Sequence, residues 1–168
     1  MEPLEHLTDE PDFEPFLRYL AQITNDPIRI KILVTHVLIE EMIENVIAAA
    51  VPNSECFDVP KMRFWQKVKI LRGLVPPDEA FTPLWQVCKK LNNLRNAAAH
   101  RDYETLRDQR FTELATSFYP DPAFRETRDR ETLLREVAEL SFGFLLLLQK
   151  NFRRGGGGGN LFRSTPLS

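Results

Sequence analysis

The stretch from Asn25 to Ala50 is the strongest constraint on how this chain can fold. Asn25-Asp26-Pro27 is a helix-start signal. An aspartate side chain accepts from the free amides of a first turn, and proline suits the first helical position, where its missing N–H would have no partner anyway. The residues that follow contain no breaker until Pro52. Their apolar side chains fall on nearly every side of a helix, which predicts a helix running to about Ala50 and packed between neighbours. The rest of the chain must supply those neighbours.

The other segments are read as helices too. Phe13 to Ile23 carries Phe16, Leu17, Leu20 and Ile23 on one side. After a loop at Asn53 to Val59, Pro60 is expected to open a helix to about Leu74, with Phe64, Trp65, Val68 and Leu71 as its stripe. Pro76-Pro77-Asp78 starts a fourth, ending near Arg95–His100. Glu104 to Phe118 is a shorter one, broken by Tyr119-Pro120-Asp121-Pro122, and a last helix spans Asp129 to Phe152. Sustained strand alternation is absent. The expectation is an all-α fold with a four-helix-bundle core and an additional short helix, short connections favouring antiparallel neighbours. An acidic lead-in occupies residues 1–12, the helical domain 13–152, and a Gly-rich tail 153–168 that includes five consecutive glycines.

Charge and cysteine content narrow the function classes. The net charge of −2 argues against a protein that coats nucleic acid. Residues 1–15 hold six acids and no Lys or Arg, leaving 22 bases against 18 acids in the remainder. Five bases and no acid lie between Lys61 and Arg72, a solvated face or an RNA-attracting one. No apolar run reaches the roughly 20 residues that span a bilayer, so no membrane partner is expected. Cys56 and Cys88 lack metal-ligand or redox spacing, and the N-terminus lacks a signal-peptide pattern, giving a cytoplasmic expectation. No spaced Asp/Glu/His set calls for a metal, and no cofactor is expected. Trp65, Trp85 and the phenylalanines sit at helical spacing as core residues, and His36 reads as a core or edge histidine.

The chemistry-bearing stretch is Arg95-Asn96-Ala97-Ala98-Ala99-His100. Arginine presents a permanently charged fork that fits phosphate oxygens, and histidine exchanges protons near neutral pH. Arg95 continues the apolar stripe of Leu84, Cys88 and Leu91, where a guanidinium needs a partner. On a continuous helix His100 lies about 140° around from Arg95, while Asn96 is its neighbour one turn back. Arginine and histidine therefore share a substrate only if the helix ends near Ala99 or a second subunit intervenes. Glu41, or Glu44, on the Asn25–Ala50 segment is the acid expected to orient Arg95, the alternative being that both point to solvent at a bundle edge. The opposing reading of Arg95 and His100 is a buried arginine in a capping network and a histidine at a helix C-terminus.

The run Leu91-Asn92-Asn93-Leu94-Arg95-Asn96-Ala97-Ala98-Ala99-His100 resembles the signature of HEPN-domain proteins, an arginine, usually followed by a polar residue, with a histidine five to seven positions on. The resemblance implies a HEPN-like helical fold and a metal-independent endoribonuclease acting as a homodimer on an RNA substrate, as in toxins of toxin–antitoxin or phage-defence systems. Arg95 would then stabilise phosphate charge, Asn96 orient substrate or His100, and His100 transfer protons. Many such toxins carry a tyrosine two residues after the histidine, which the antitoxin protein modifies. Here Tyr103 follows three residues on, a departure from the pattern for tyrosine modification by a nucleotidyltransferase antitoxin, and a structural role for it stands beside an accessory one. The alternatives are a non-catalytic HEPN-like interaction or regulatory module, with mannitol-repressor-type transcription regulators as the comparison, and a domain that binds a nucleotide without cleaving it.

Overall fold

A computed structural model describes residues 25–75, 81–100 and 103–155. The helix expected over Phe13–Ile23, the acidic lead-in, the Pro76-Pro77-Asp78 start and the tail from residue 156 lie outside the described residues. Six helices make up the described structure: α1 Pro27–Ala50, α2 Phe64–Leu74, α3 Thr82–Ala99, α4 Tyr103–Phe118, α5 Pro122–Glu126 and α6 Arg130–Gly155. The fold is all-α, with no strand among the described residues.

Capping residues set the boundaries. Asp26 accepts the Arg29 N–H at 3.0 Å and starts α1 with Pro27 in its first turn. Asp129 does the same for α6, accepting from the Thr132 N–H at 2.7 Å. The expected start at Pro60 gives only a single tight turn, Val59–Lys61. Met62 and Arg63 are extended, and α2 begins at Phe64, where the Gln66 side chain accepts the Arg63 N–H at 2.9 Å. Asp121 accepts from the Ala123 N–H at 2.9 Å and opens the five-residue α5, where the sequence reading expects only a break. The last helix continues past Phe152 through Arg153 and Arg154 to Gly155.

The packing centres on α1. Helices α6, α2 and α3 all lie against it, and α4 pairs with α3. Ile32, Ile39, Ile43 and Val46 of α1 are fully buried, meeting Val68 and Leu71 of α2, Leu91 and Leu94 of α3, and Val137 and Leu145 of α6. At about 1.5–3 kcal/mol for each large side chain removed from water, this shared core is the main favourable term. Helix α1 is packed between neighbours as expected, while among the described residues its outer face carries exposed apolar side chains. Ile30, Val34, Val37 and Leu38 on its outer face are 39%, 50%, 50% and 42% exposed.

Replacing Asp26 with Ala is expected to cost about 1 kcal/mol in denaturant unfolding, because α1 carries most of the packing. The same change at Asp121, on an exposed helix of five residues, should leave the unfolding midpoint nearly unchanged.

Candidate functional site at the end of α3

Helix α3 stops at Ala99, and His100 is already extended, with φ −116° and ψ 167°. The last carbonyls of a helix lack intrahelical donors. Here a buried arginine from α1 supplies them. Arg29 Nε donates to Ala98 O at 2.6 Å and Nη2 to His100 O at 3.1 Å, while its guanidinium lies 4.9 Å from the centre of the Tyr103 ring. A positive charge at a helix C-terminus also meets the favourable end of the macrodipole. The capping arginine is therefore Arg29, which the sequence reading did not single out, rather than Arg95.

The end of α3 turns His100 and Asn96 toward one hollow. This depression of about 240 Å³ lies between α3 and α4 and is lined by Asn93, Asn96, Ala97, His100, Leu106 and Arg110. Asn96 and His100 are both exposed. Arg95 is half-buried and does not line the hollow; its Nη1 donates to Asn96 Oδ1 at 3.3 Å. The motif is thus joined through Asn96, with the arginine behind it and the histidine in front. A larger hollow of about 470 Å³ between α1 and α6 is lined by Lys31, Arg135, Asp129 and Glu131 among others, and no histidine or cysteine lines it.

The expected acids do not orient Arg95. Glu41 is exposed and has no hydrogen bond or ion pair among the described residues, because it projects from the outer face of α1 with Val34 and Val37. Glu44 is held instead by Lys67, whose buried ammonium sits 2.5 Å from both Glu44 Oε1 and Glu40 Oε1. Burial works against that charge, but the two carboxylate hydrogen bonds outweigh it and raise the Lys67 pKa above its ordinary value. The signal in the sequence was present: Lys67 lies on the apolar stripe of α2, and Glu40 and Glu44 are one turn apart on α1.

Beside this cluster His36 is buried, its ring 4.3 Å from that of Phe64 and its Nε2 3.3 Å from Asn92 Oδ1. Glu40 Oε2 stands 3.7 Å from Nδ1, close enough for attraction but too far for a hydrogen bond, and Nδ1 has no partner within hydrogen-bonding range. Burial lowers the His36 pKa; Asn92 and Glu40 pull it up, and the charges of Arg95 and Lys67 push it down again. Tyr103 is fully buried, and burial drives its hydroxyl up to about 12, with Asp26 adding to the effect. Its oxygen is enclosed without a hydrogen-bond partner among the described residues. Cys88 is buried and its thiol is pushed up to about 12 by burial, while Cys56 is exposed. Among the described residues no three His, Cys, Asp or Glu side chains gather as metal ligands, and no helix is long and apolar enough to cross a membrane.

Compared with protein-family models, with curated proteins and with solved structures, the chain matches none.

The buried imidazole makes a directional statement about stability. His36 titrates lower in the fold than its ordinary 6.5, so the unfolded chain takes up the proton first as pH falls. Stability from this group is complete above about pH 6.5 and is lost progressively below it. The lowered carboxyls of Glu113 and Asp129 start from 4.5 and 3.8 and act at more acidic pH. Urea unfolding between pH 7 and 5 should show the decline in the wild type and a flatter profile for His36→Gln.

Proposed function

We propose that the protein is a metal-independent endoribonuclease of HEPN type, with Arg95, Asn96 and His100 as its site residues. The observation that carries this reading is the termination of α3 at Ala99. It turns His100 onto the same hollow as Asn96, whose side chain holds Arg95. In such a cleavage the ribose 2′-oxygen attacks phosphorus and the bond to the 5′-oxygen breaks. One group takes the 2′-hydroxyl proton and another supplies a proton to the leaving oxygen, while positive charge stabilises the phosphorane. His100 serves one of the two proton transfers and Arg95 the charge, with Asn96 fixing the orientation between them. A toxin or phage-defence role is part of this proposal, with an antitoxin protein as the partner such a toxin requires.

Purified protein incubated with RNA in EDTA tests it. Wild type should cleave, His100→Ala should lose about 10²–10⁴-fold in rate, and Arg95→Ala should lose at least about 10²-fold. RNA left intact by the wild type rejects the reading.

A single imidazole serves only one end of the displacement, and the second end is proposed to come from a second copy of the chain. The outer face of α1 is the seat for that copy. It exposes Ile30, Val34, Val37 and Leu38, and it begins one residue after Arg29, whose guanidinium clamps the end of α3. In this proposal a twofold contact there brings the two copies of the motif to one site. The same exposed face favours the second reading, a non-catalytic interaction or regulatory module of the mannitol-repressor kind, which uses this surface without cleaving RNA. A nucleotide-binding domain would instead show nucleotide binding with no cleavage. Sedimentation should give a dimer for the wild type and a monomer for Val34→Glu. If Val34→Glu remains dimeric, this seat is wrong; if the wild type is monomeric, the two-copy site is.

A further inference from the structure

The hollow beside His100 contains a cation that the Arg95–His100 motif does not include. Arg110, on α4, lines it opposite Asn93 and Asn96, whereas Arg95 stays outside it. Arg110 Nη1 donates to both oxygens of Glu113, at 3.0 and 3.1 Å. The same carboxylate accepts from Lys90 Nζ at 3.2 Å and Gln109 Nε2 at 3.0 Å. Burial alone would raise the Glu113 pKa, but these three donors bring it below its ordinary value, so the carboxylate is ionised near neutral pH. One carboxylate between two cations leaves a positive excess at the rim of the hollow. The Nε and Nη2 groups of Arg110 make no hydrogen bond to the described residues, and a guanidinium offers five N–H donors in a fixed fork. Ala97 and Leu106 give the hollow an apolar wall, and Asn93 and Asn96 add amides one turn apart. A volume of about 240 Å³ is below the ordinary range for pockets that bury a whole organic ligand, and suits a phosphate with its ribose.

We infer that Arg110 is the positioning residue that seats the phosphodiester of single-stranded RNA in this hollow, with Glu113 and Lys90 holding its guanidinium in place. The inference rests on the proposal that the hollow takes RNA. It assigns ground-state phosphate binding to α4 and leaves Arg95, behind Asn96, to the charge that develops during reaction. Nothing in the Arg95–His100 spacing points to Arg110, because α4 brings it from ten residues beyond the motif.

The test separates binding from chemistry by using a fluorescent single-stranded RNA whose riboses are 2′-O-methylated and so lack the nucleophile. Anisotropy titrations of the full chain over a series of salt concentrations give affinity and salt slope together. Arg110→Ala should weaken binding about ten-fold and reduce the slope of log affinity against log salt by about 0.7, one phosphate contact on a single strand. Glu113→Gln, which keeps an oxygen for Arg110 but removes the neutralising charge, should tighten binding by about three-fold, a direction that a damaged fold does not produce. Lys150→Ala, on exposed α6 surface, should bind as the wild type does. An unchanged affinity and slope for Arg110→Ala, no tightening for Glu113→Gln, or no binding by the wild type overturns the inference. Binding that depends on Arg110 in a wild type that leaves 2′-hydroxyl RNA intact keeps the inference and rejects only the nuclease.

Discussion

One guanidinium determines what the end of α3 can do. Arg29 is buried at the start of α1, yet its donors reach across to the carbonyls of Ala98 and His100. Charge-assisted hydrogen bonds of this kind contribute about 1.5–3 kcal/mol, more than a neutral pair. Their positional effect matters more here. Had α3 run on by one more turn, His100 would stand on the helix surface well around from Arg95. With Arg29 at the end, the backbone leaves the helix at His100 and the imidazole meets the hollow against α4. Tyr103 completes the arrangement by lying beneath the guanidinium, its ring buried against it.

A second buried charge organises the other side of α1. Lys67 lies between Glu40 and Glu44, so α2 is fixed against α1 by three charges as well as by Val68 and Leu71. Breaking such a group by removing one partner is expensive, whereas replacing all of it with apolar residues often is not. Its value is therefore one of register rather than of stability alone. The cluster carries an excess negative charge. Arg95, apart from that cluster's hydrogen bonds, donates to the outward-facing Asn96 side chain.

The sequence was legible where local chemistry decides the outcome. Asp26-Pro27 and Asp129 mark helix starts, and each of the described helices was foreseen in outline except α5. The Asp121-Pro122 pair carries the same signal as Asp26-Pro27 and was read as a break, because only five residues follow before the chain turns again. Pro60 misled in the opposite direction, since proline suits a first turn of any kind and the turn at Val59–Lys61 does not propagate. The four-helix-bundle expectation concerns how helices pair, which capping and periodicity do not address. The partners of charged residues were the least legible. Glu44 could be placed on a face, but choosing Lys67 over Arg95 depends on which helix lies opposite. Arg29 sits on the same side of α1 as Ile32, His36 and Ile43, and a cation on a buried stripe was the available clue to a capping role.

Under the proposed function, the site residues would divide the demands of phosphate chemistry between two helix interfaces. Behind Asn96, Arg95 is half-buried and close to His36, where a lower effective dielectric strengthens any interaction with developing charge. In front, Arg110 and His100 line the hollow, where the proposal places anion binding and proton transfer. Ground-state binding and transition-state stabilisation are better served by different groups, because a cation that holds both states equally lowers no barrier. Asn96 is the one side chain that belongs to both sets, accepting from Arg95 and lining the hollow. An amide there transmits position without adding charge. A carboxylate in its place would pair with the guanidinium and cancel the field that the proposed chemistry requires.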